Sequence, residues 1–350
     1  MAYITTENIN TINAELSNYC NAACPMCSRF DFDLNLRKDV ANNSHTTLSL
    51  IKEKIGDKVI KNLKMFYSCG TYGDGSMNPE ALQIFEYIRK TNGNCNVELY
   101  TNGGARTPEF WYELGKIGIT VRWHIDGLED TNHLYRRKVK WDKLMANAKA
   151  FVEGSRTNNK SSSVWNCFLF KHNQHQQEDI KKLAKQLGFA GTSFYETSRW
   201  DDFDYDGTFR SVNSIKVDDY NIEKPDKKDL RVDKETIDHI DKTEADYGHS
   251  DFATRKIECL SCTANHPDKK RANYEIYLMA KGWVTPCCWI GDPETHESQK
   301  ILGDKKTINL NHSTLDEIFE SEFFKRLQGG IYGTTPEDRL MACYSCCGIK

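Results

Sequence analysis

Three cysteines stand in the run Cys20-Asn-Ala-Ala-Cys24-Pro-Met-Cys27, with three residues in the first gap and two in the second. This CxxxCxxC spacing constrains the chain more than any other feature, because thiols so close in sequence can close on one point only from a short loop. Three thiolates arranged in this way can hold a cube-shaped [4Fe–4S] cluster by three of its irons, whereas an electron-carrying cluster uses four cysteines. The fourth iron is then open to a ligand, and an open metal position separates a working site from a closed structural one. The alternatives are a zinc knuckle and three unrelated buried thiols. A knuckle wants a fourth Cys or His within roughly 20 residues, and no His falls between Cys27 and His45.

The rest of the chain supplies a frame for such a loop. From about residue 11 to 197, short apolar runs alternate with helical patterns, which predicts repeated βα units and a mainly parallel sheet. Ile12 to Ser17 reads as a first strand that delivers the cysteine loop at its C-terminal end. Further strands are predicted at Lys64 to Ser68, Asn96 to Thr101, Thr120 to Ile125, Val164 to Phe170 and Thr192 to Tyr195. Helical spacing joins Leu48, Ile51 and Ile55, then Leu82, Ile84, Phe85 and Ile88, and later Leu144, Ala148 and Phe151. Pro108 opens a helix to Leu114, and Gly188 stops one that carries Ile180, Leu183, Ala184 and Leu187. About six such units form an α/β fold, a partial (β/α)6 barrel, whose site lies at the carboxyl ends of the strands.

Length and composition fit that reading. At 350 residues the chain suggests about two domains. We divide it into a barrel core at 1–198, a bridging segment at 199–257 with little periodicity, and a small C-terminal cysteine-rich domain at 258–350. No stretch approaches the ~20 apolar residues of a membrane span, and the N-terminus lacks the pattern of a signal peptide, so the expected location is cytoplasmic. A net charge of −3 gives no electrostatic case for a nucleic-acid partner, and Lys269-Lys270-Arg271 reads as a solvated turn. Thirteen cysteines in a cytosolic chain point to metal or cluster ligation rather than disulfides. Cys69, Cys95 and Cys167 fall singly and read as small core residues.

Seven cysteines gather near the C-terminus: Cys259-Leu-Ser-Cys262, then Gly282-Trp-Val-Thr-Pro-Cys287-Cys288, then Cys343-Tyr-Ser-Cys346-Cys347. Adjacent residues on an extended chain point to opposite sides, so Cys287 and Cys288 are not both expected as ligands. A zinc ribbon from Cys259/Cys262 and Cys343/Cys346 is the structural alternative, but its gap of 80 residues far exceeds the roughly 15–20 usual for such pairs. The histidines, among them His175, His239 and His266, show no ligand spacing.

The cysteine loop, with Met26 before its last cysteine, resembles the defining loop of the radical S-adenosylmethionine (radical SAM) enzymes. That resemblance implies a [4Fe–4S] cluster on Cys20, Cys24 and Cys27 whose open iron chelates S-adenosylmethionine. Reductive cleavage then yields a 5′-deoxyadenosyl radical, which takes a hydrogen atom from substrate. Gly70-Thr71-Tyr72-Gly73-Asp74-Gly75 looks like the family's glycine-rich segment for the methionine amino group, with Gly73 and Asp74 in place of the usual Gly-Gly-Glu. The segment His124-Ile125-Asp126-Gly127 through Tyr135-Arg136 resembles a family pattern in which the Arg faces the S-adenosylmethionine carboxylate; Arg136 fits that position, with Arg137 as a substitute. Asp126 could bind a ribose or orient a neighbour, and Thr101 and Asn102 are candidates for ribose or adenine contacts. A helix-surface ion pair for Arg136 and a turn cap for Asp126 are the structural readings of the same residues.

The C-terminal pattern resembles the SPASM or twitch extension of that family, the twitch form fitting better. It implies one auxiliary [4Fe–4S] cluster on Cys262, Cys287, Cys343 and Cys346, with Cys259 as a substitute for Cys262. The implied partners are a small-molecule or peptide substrate and a reductant such as flavodoxin or ferredoxin, with no nucleic acid and no membrane. The chain begins some ten residues before its first strand, from which we expect no leader-peptide-binding domain at that end. Trp200, Asp201, Asp202 and Phe203 line the pocket or form an exposed loop. Two further classes compete with the enzyme: a non-catalytic iron–sulfur electron carrier, and a zinc-stabilised binding protein.

Overall fold

In the computed structural model of the chain, residues 4–38, 40, 43–203, 209–226, 256–257, 274–288, 290, 303–326 and 348–349 are described. Six strands follow one another through the core: β1 (Thr11–Ala14), β2 (Met65–Ser68), β3 (Asn96–Thr101), β4 (Thr120–His124), β5 (Ser162–Phe168) and β6 (Gly191–Tyr195). They pair in parallel in that order. Parallel neighbours need a crossover, and helices supply it. Between β1 and β2 run α1 (Leu48–Leu50), a π-helical stretch (Ile51–Ile55) and α2 (Gly56–Asn62). Then come α3 (Ala81–Thr91), α4 (Pro108–Lys116), a short α5 (Asn132–Tyr135), α6 (Trp141–Ser155) and α7 (Gln177–Leu187).

The helices form where the apolar spacing places them. α3 buries Ala81, Ile84, Phe85 and Ile88, one face of a 3.6-residue period. α7 ends at Gly188, whose backbone adopts the left-handed conformation that a residue without a Cβ enters freely. The predicted helix over Leu48, Ile51 and Ile55 is broken instead into α1, the π stretch and α2, because Gly56 takes a positive φ of 77° at the join. Strand limits also shift. β1 closes at Ala14 rather than Ser17, whose backbone bridges His45 instead.

The sheet has eight strands in the described chain, the six above with β12 (Glu275–Leu278) and β13 (Val284–Thr285) beyond β1, in the order β13-β12-β1-β2-β3-β4-β5-β6. The two extra strands come from the C-terminal part. β12 pairs in parallel with β1, Thr11 opposite Glu275, and β13 folds back on β12 as an antiparallel hairpin. The bridging segment is more regular than its sequence suggests, since β7 (Asp201–Phe203) pairs with β8 (Phe209–Ser211), and β9 (Ser214–Val217) with β10 (Tyr220–Glu223). β11 (Lys256–Ile257) pairs with β14 (Gly348–Ile349), and α8 (Leu315–Phe319) carries a capping box between Thr314 and Glu317.

Strand alternation sorts the sheet's two faces. Ile12, Phe66, Val97, Leu99, Val121, Trp123, Trp165 and Ile276 are buried on the face the helices cover. The alternate positions, among them Asn13, Tyr67, Glu98, Tyr100, Arg122, His124, Asn166 and Glu275, share the other face by register. Most parallel strands are apolar on both sides. A polar inner face is therefore a departure that packing does not ask for, and it points to a site. Its charges are paired: Arg122 Nε donates to Glu98 Oε2 at 2.6 Å, and Tyr67 Oη donates to Glu275 Oε1 at 2.6 Å.

Candidate active site

The cysteine loop leaves the carboxyl end of β1 and is pinned from three directions. Arg29, itself buried, donates through Nη1 to the carbonyls of Cys20 (3.4 Å) and Ala22 (3.3 Å), folding the loop around its guanidinium. The Ala23 amide donates to the Arg137 carbonyl (3.0 Å), and the Asp74 amide to the Tyr19 carbonyl (2.9 Å). Cys24 is buried, Cys20 and Cys27 are half-buried, and all three line one cavity of about 310 Å³ at the mouth of the sheet.

On one side of the loop Asp74 is the hub. Its Oδ1 accepts from Ser76 N (3.0 Å), Ser76 Oγ (2.7 Å) and Thr101 Oγ1 (3.0 Å), and its Oδ2 accepts from Thr101 Oγ1 (2.9 Å), Asn102 N (2.9 Å) and Asn102 Nδ2 (2.7 Å). Asn102 Nδ2 also reaches Asn21 Oδ1 at 3.0 Å and Cys20 Sγ at 3.4 Å. The structure thus brings Asp74, Thr101 and Asn102 into one network that ends on Cys20 of the three-cysteine loop. Both Asp74 oxygens are saturated by the protein, so this side chain braces β3 against the loop after β2, while Gly73 lies against the β1 end. A Cβ on Gly73 would fall 1.9 Å from the Ser17 carbonyl oxygen, so only glycine lets the two segments approach.

Across the cavity Asp126 and Arg136 form a buried ion pair. Asp126 Oδ1 accepts from the Phe168 amide at 2.6 Å, while its Oδ2 accepts from Arg136 Nε. Arg136 Nη1 lies 3.5 Å from Cys24 Sγ, and Nη2 is buried with no partner among the described residues. The guanidinium sits over the rings of Tyr135 and Phe168, at 5.3 and 5.8 Å from their centroids. The helix-surface alternative for Arg136 fails, since its pair is buried under aromatic rings. Burial pushes the Asp126 carboxyl up and works against the Arg136 cation, but the neighbouring Asp126 and Cys24 hold Arg136 charged.

Burial likewise pushes the Cys20 thiol up, helped by Asp74 and the other two cysteines, and takes Cys24 up to about 11 despite Arg136. Metal ligation must therefore displace protons from these sulfurs. Among the described residues no group of three His, Cys, Asp or Glu could hold a single metal ion. The triplet is not arranged as a mononuclear zinc site. Three thiols on one wall, with an unpaired guanidinium nitrogen across the cavity, fit a cluster that binds a carboxylate-bearing ligand.

Sequence reasoning missed the deeper wall. Cys69, Tyr100, His124 and Cys288 line the same cavity, and Arg199 joins them, donating through Nη2 to Ser28 Oγ at 2.5 Å. For Cys69, Tyr100 and His124 the signal was the polar phase of strand alternation. Cys69 is a correction: it is not a small core residue, because its strand phase turns it to the polar face, where Asn13 Nδ2 donates to its sulfur at 3.2 Å. Cys95 and Cys167 are buried as expected. His124 is held neutral, well below the usual imidazole range, by burial and by Arg136 and Arg122, and Nδ1 has no partner among the described residues. Trp200 is buried against Phe170 (6.0 Å between centroids), neither pocket wall nor exposed loop. Cys259, Cys262, Cys343, Cys346 and Cys347 lie outside the described residues, as do His239, His266 and the Lys269-Lys270-Arg271 run.

A strand-ordered partial β/α barrel with a three-cysteine loop at its mouth defines the class of protein. Residues 14–184 match the family model of the radical SAM superfamily. Among solved structures, Streptococcus suis SuiB bound to S-adenosylmethionine is similar at a TM-score of 0.55 and 15% identity, over 93% of this chain and 68% of that one. Native anSMEcpe with bound AdoMet is similar at a TM-score of 0.54 and 14% identity, over 91% of this chain and 82% of that one. These likenesses show the fold, a partial β/α barrel, alone. No curated protein sequence matches.

Proposed function

We propose that the chain is a radical SAM enzyme that abstracts hydrogen from a substrate C–H bond, carrying one auxiliary [4Fe–4S] cluster on Cys262, Cys287, Cys343 and Cys346. The single observation that carries the reading is the convergence of Cys20, Cys24 and Cys27 on a cavity that also holds the unpaired Arg136 Nη2. When bound, the cluster and S-adenosylmethionine supply a carbon radical able to take an unactivated hydrogen atom. The protein's own residues hold and orient. Cys20, Cys24 and Cys27 ligate; Arg136 receives the methionine carboxylate on Nη2; Asp126 fixes the guanidinium; and the Gly73 backbone borders the amino group, with Asp74 shaping that segment. Thr101 and Asn102 steady the loop around Cys20 and border the nucleoside. Phe168, Tyr135 and Met26 present apolar surface to the cavity and keep water from the reacting carbon.

The substrate lies over the wall of Tyr100 and His124. A peptide is the favoured class, supported by SuiB, which has been solved bound to the precursor peptide SuiA; a small metabolite is the other. The enzyme works in the cytoplasm with a flavodoxin or ferredoxin as reductant. Among the described residues no helix is long and apolar enough to cross a membrane.

The test is anaerobic reconstitution with iron and sulfide, then reduction with dithionite in the presence of S-adenosylmethionine. The reading expects 5′-deoxyadenosine and methionine in equal amounts, lost in Cys24→Ala. An electron carrier would keep its iron and form neither product.

A further inference from the structure

Two buried amide side chains, Asn173 and Gln176, stand at either end of the turn that follows β5. We propose that they are positioning residues that fix the Asp126–Arg136 pair, and through it the guanidinium nitrogen offered to the S-adenosylmethionine carboxylate. This assignment rests on Arg136 receiving that carboxylate.

The two amides grip both ends of the segment that leads from β4 to Arg136. Asn173 Nδ2 donates to the Asp126 carbonyl at 3.0 Å and to the Phe168 carbonyl at 2.8 Å, while its Oδ1 accepts from the Phe170 amide at 2.7 Å. One carboxamide therefore ties the end of β4 to the end of β5, where the Phe168 amide donates to Asp126 Oδ1 at 2.6 Å. Gln176 holds the far end of the same segment. Its Oε1 accepts from the Leu128 amide at 3.0 Å and from Thr131 Oγ1 at 2.6 Å, and its Nε2 donates to Asp130 Oδ1 at 2.9 Å. From Leu128 the hold passes into α5: the Asn132 amide donates to the Leu128 carbonyl at 2.8 Å, and the Arg136 amide to the Asn132 carbonyl at 2.8 Å. Asn132 Oδ1 accepts from the Asp126 amide at 2.8 Å, which joins the two grips.

A guanidinium is planar, so the direction of its Nε bond sets where its outer nitrogens stand. Asp126 Oδ2 takes that bond, and the clamp sets Asp126. Neither amide lines the cavity, so each acts on a bound ligand only through the pair. Satisfying buried backbone groups would account for these hydrogen bonds in any fold. What a structural role alone does not predict is an effect confined to the ligand's carboxylate. Loss of either grip lets Arg136 Nη2 drift from its place, and a small misplacement of an orienting group is costly to binding and reaction alike. A ligand without a carboxylate has nothing for that nitrogen to hold and should not sense the drift.

The experiment uses the full-length, iron-loaded protein purified without oxygen. Equilibrium dialysis gives the Kd of S-adenosylmethionine and of its decarboxylated analogue for the wild-type protein, Asn173→Ala and Gln176→Ala. The expected result is a wild-type preference for the carboxylate-bearing ligand that falls about 10-fold in each variant, the loss of one charge-assisted hydrogen bond. Binding of the analogue should stay as it is in the wild type. Gln176→Ala leaves Asn173 in place, so it carries the comparison should Asn173→Ala fail to fold. The proposal is overturned if the folded variants keep the wild-type preference, including the case in which both ligands weaken together. Loss of fold in both variants would make the amides structural and overturn it as well. A wild-type protein with no preference sinks the reading of Arg136 itself, and the proposal with it, whereas a preference kept in the variants sinks only the assignment of Asn173 and Gln176.

Discussion

Arg136 shows how much one side chain is asked to do. It neutralises a buried carboxylate, lies against Cys24 of the three-cysteine loop and keeps one nitrogen without a partner among the described residues. Lysine offers a point charge where this site uses a planar fork. Arg136→Lys should therefore fold but bind S-adenosylmethionine about 10- to 100-fold more weakly, the loss of one charge-assisted hydrogen bond, measured by equilibrium dialysis of the reconstituted protein. Asp126→Asn should be worse for folding, because it strands a buried cation; we expect a loss of about 3–5 kcal/mol in denaturant unfolding.

Glu15, just past β1, makes a different demand. Burial, and after it Cys69, push its carboxyl up to about 8, against hydrogen bonds from Tyr277 and from the Tyr72 and Thr71 backbone. The folded chain thus keeps a proton that the unfolded chain loses near 4.5. Its contribution to stability is whole below the unfolded value and drains away as pH rises towards the folded one. Glu15→Gln mimics the neutral acid, so the stability difference between variant and wild type should move in favour of the variant by about 1.4 kcal/mol per pH unit across that window. Thermal unfolding at a series of pH values checks it; a difference independent of pH would contradict it.

At the scale of elements, the loop after β2 and the loop after β1 depend on each other through Gly73. The atoms that a Cβ would strike are backbone on the Ser17 and Asn18 side, which cannot rotate away. Gly73→Ala should cost about 1–3 kcal/mol and lower the iron retained by the cysteine loop, since the Asp74 amide that follows holds the Tyr19 carbonyl. Gly93→Ala, with nothing near its Cβ, should stay within about 0.5 kcal/mol of wild type.

The same scale shows what the sequence could disclose. The order of βα units was legible because Ile84, Phe85 and Ile88, or Val121 and Trp123, repeat at the period their element imposes. The parallel pairing of β12 with β1 was not, because Thr11 and Glu275 meet only through the folded chain. In the site, Cys20, Cys24, Cys27 and Arg136 were legible from spacing and pattern. Cys69 was not, since its place on the cavity wall depends on which way a strand end faces.

For the whole molecule, one sheet carries both the three-cysteine loop and the strands that bring Cys287 and Cys288 to its mouth. A polar inner face runs beneath that mouth, closed by paired charges at Glu98 and Arg122. The proposed chemistry needs an iron held by three protein sulfurs and free to take S-adenosylmethionine. Electron paramagnetic resonance of the dithionite-reduced protein, with and without S-adenosylmethionine, reads that iron. A shifted signal is expected on adding S-adenosylmethionine, retained in Cys343→Ala and absent in Cys24→Ala. A spectrum unmoved by S-adenosylmethionine in the iron-loaded wild-type protein would contradict it.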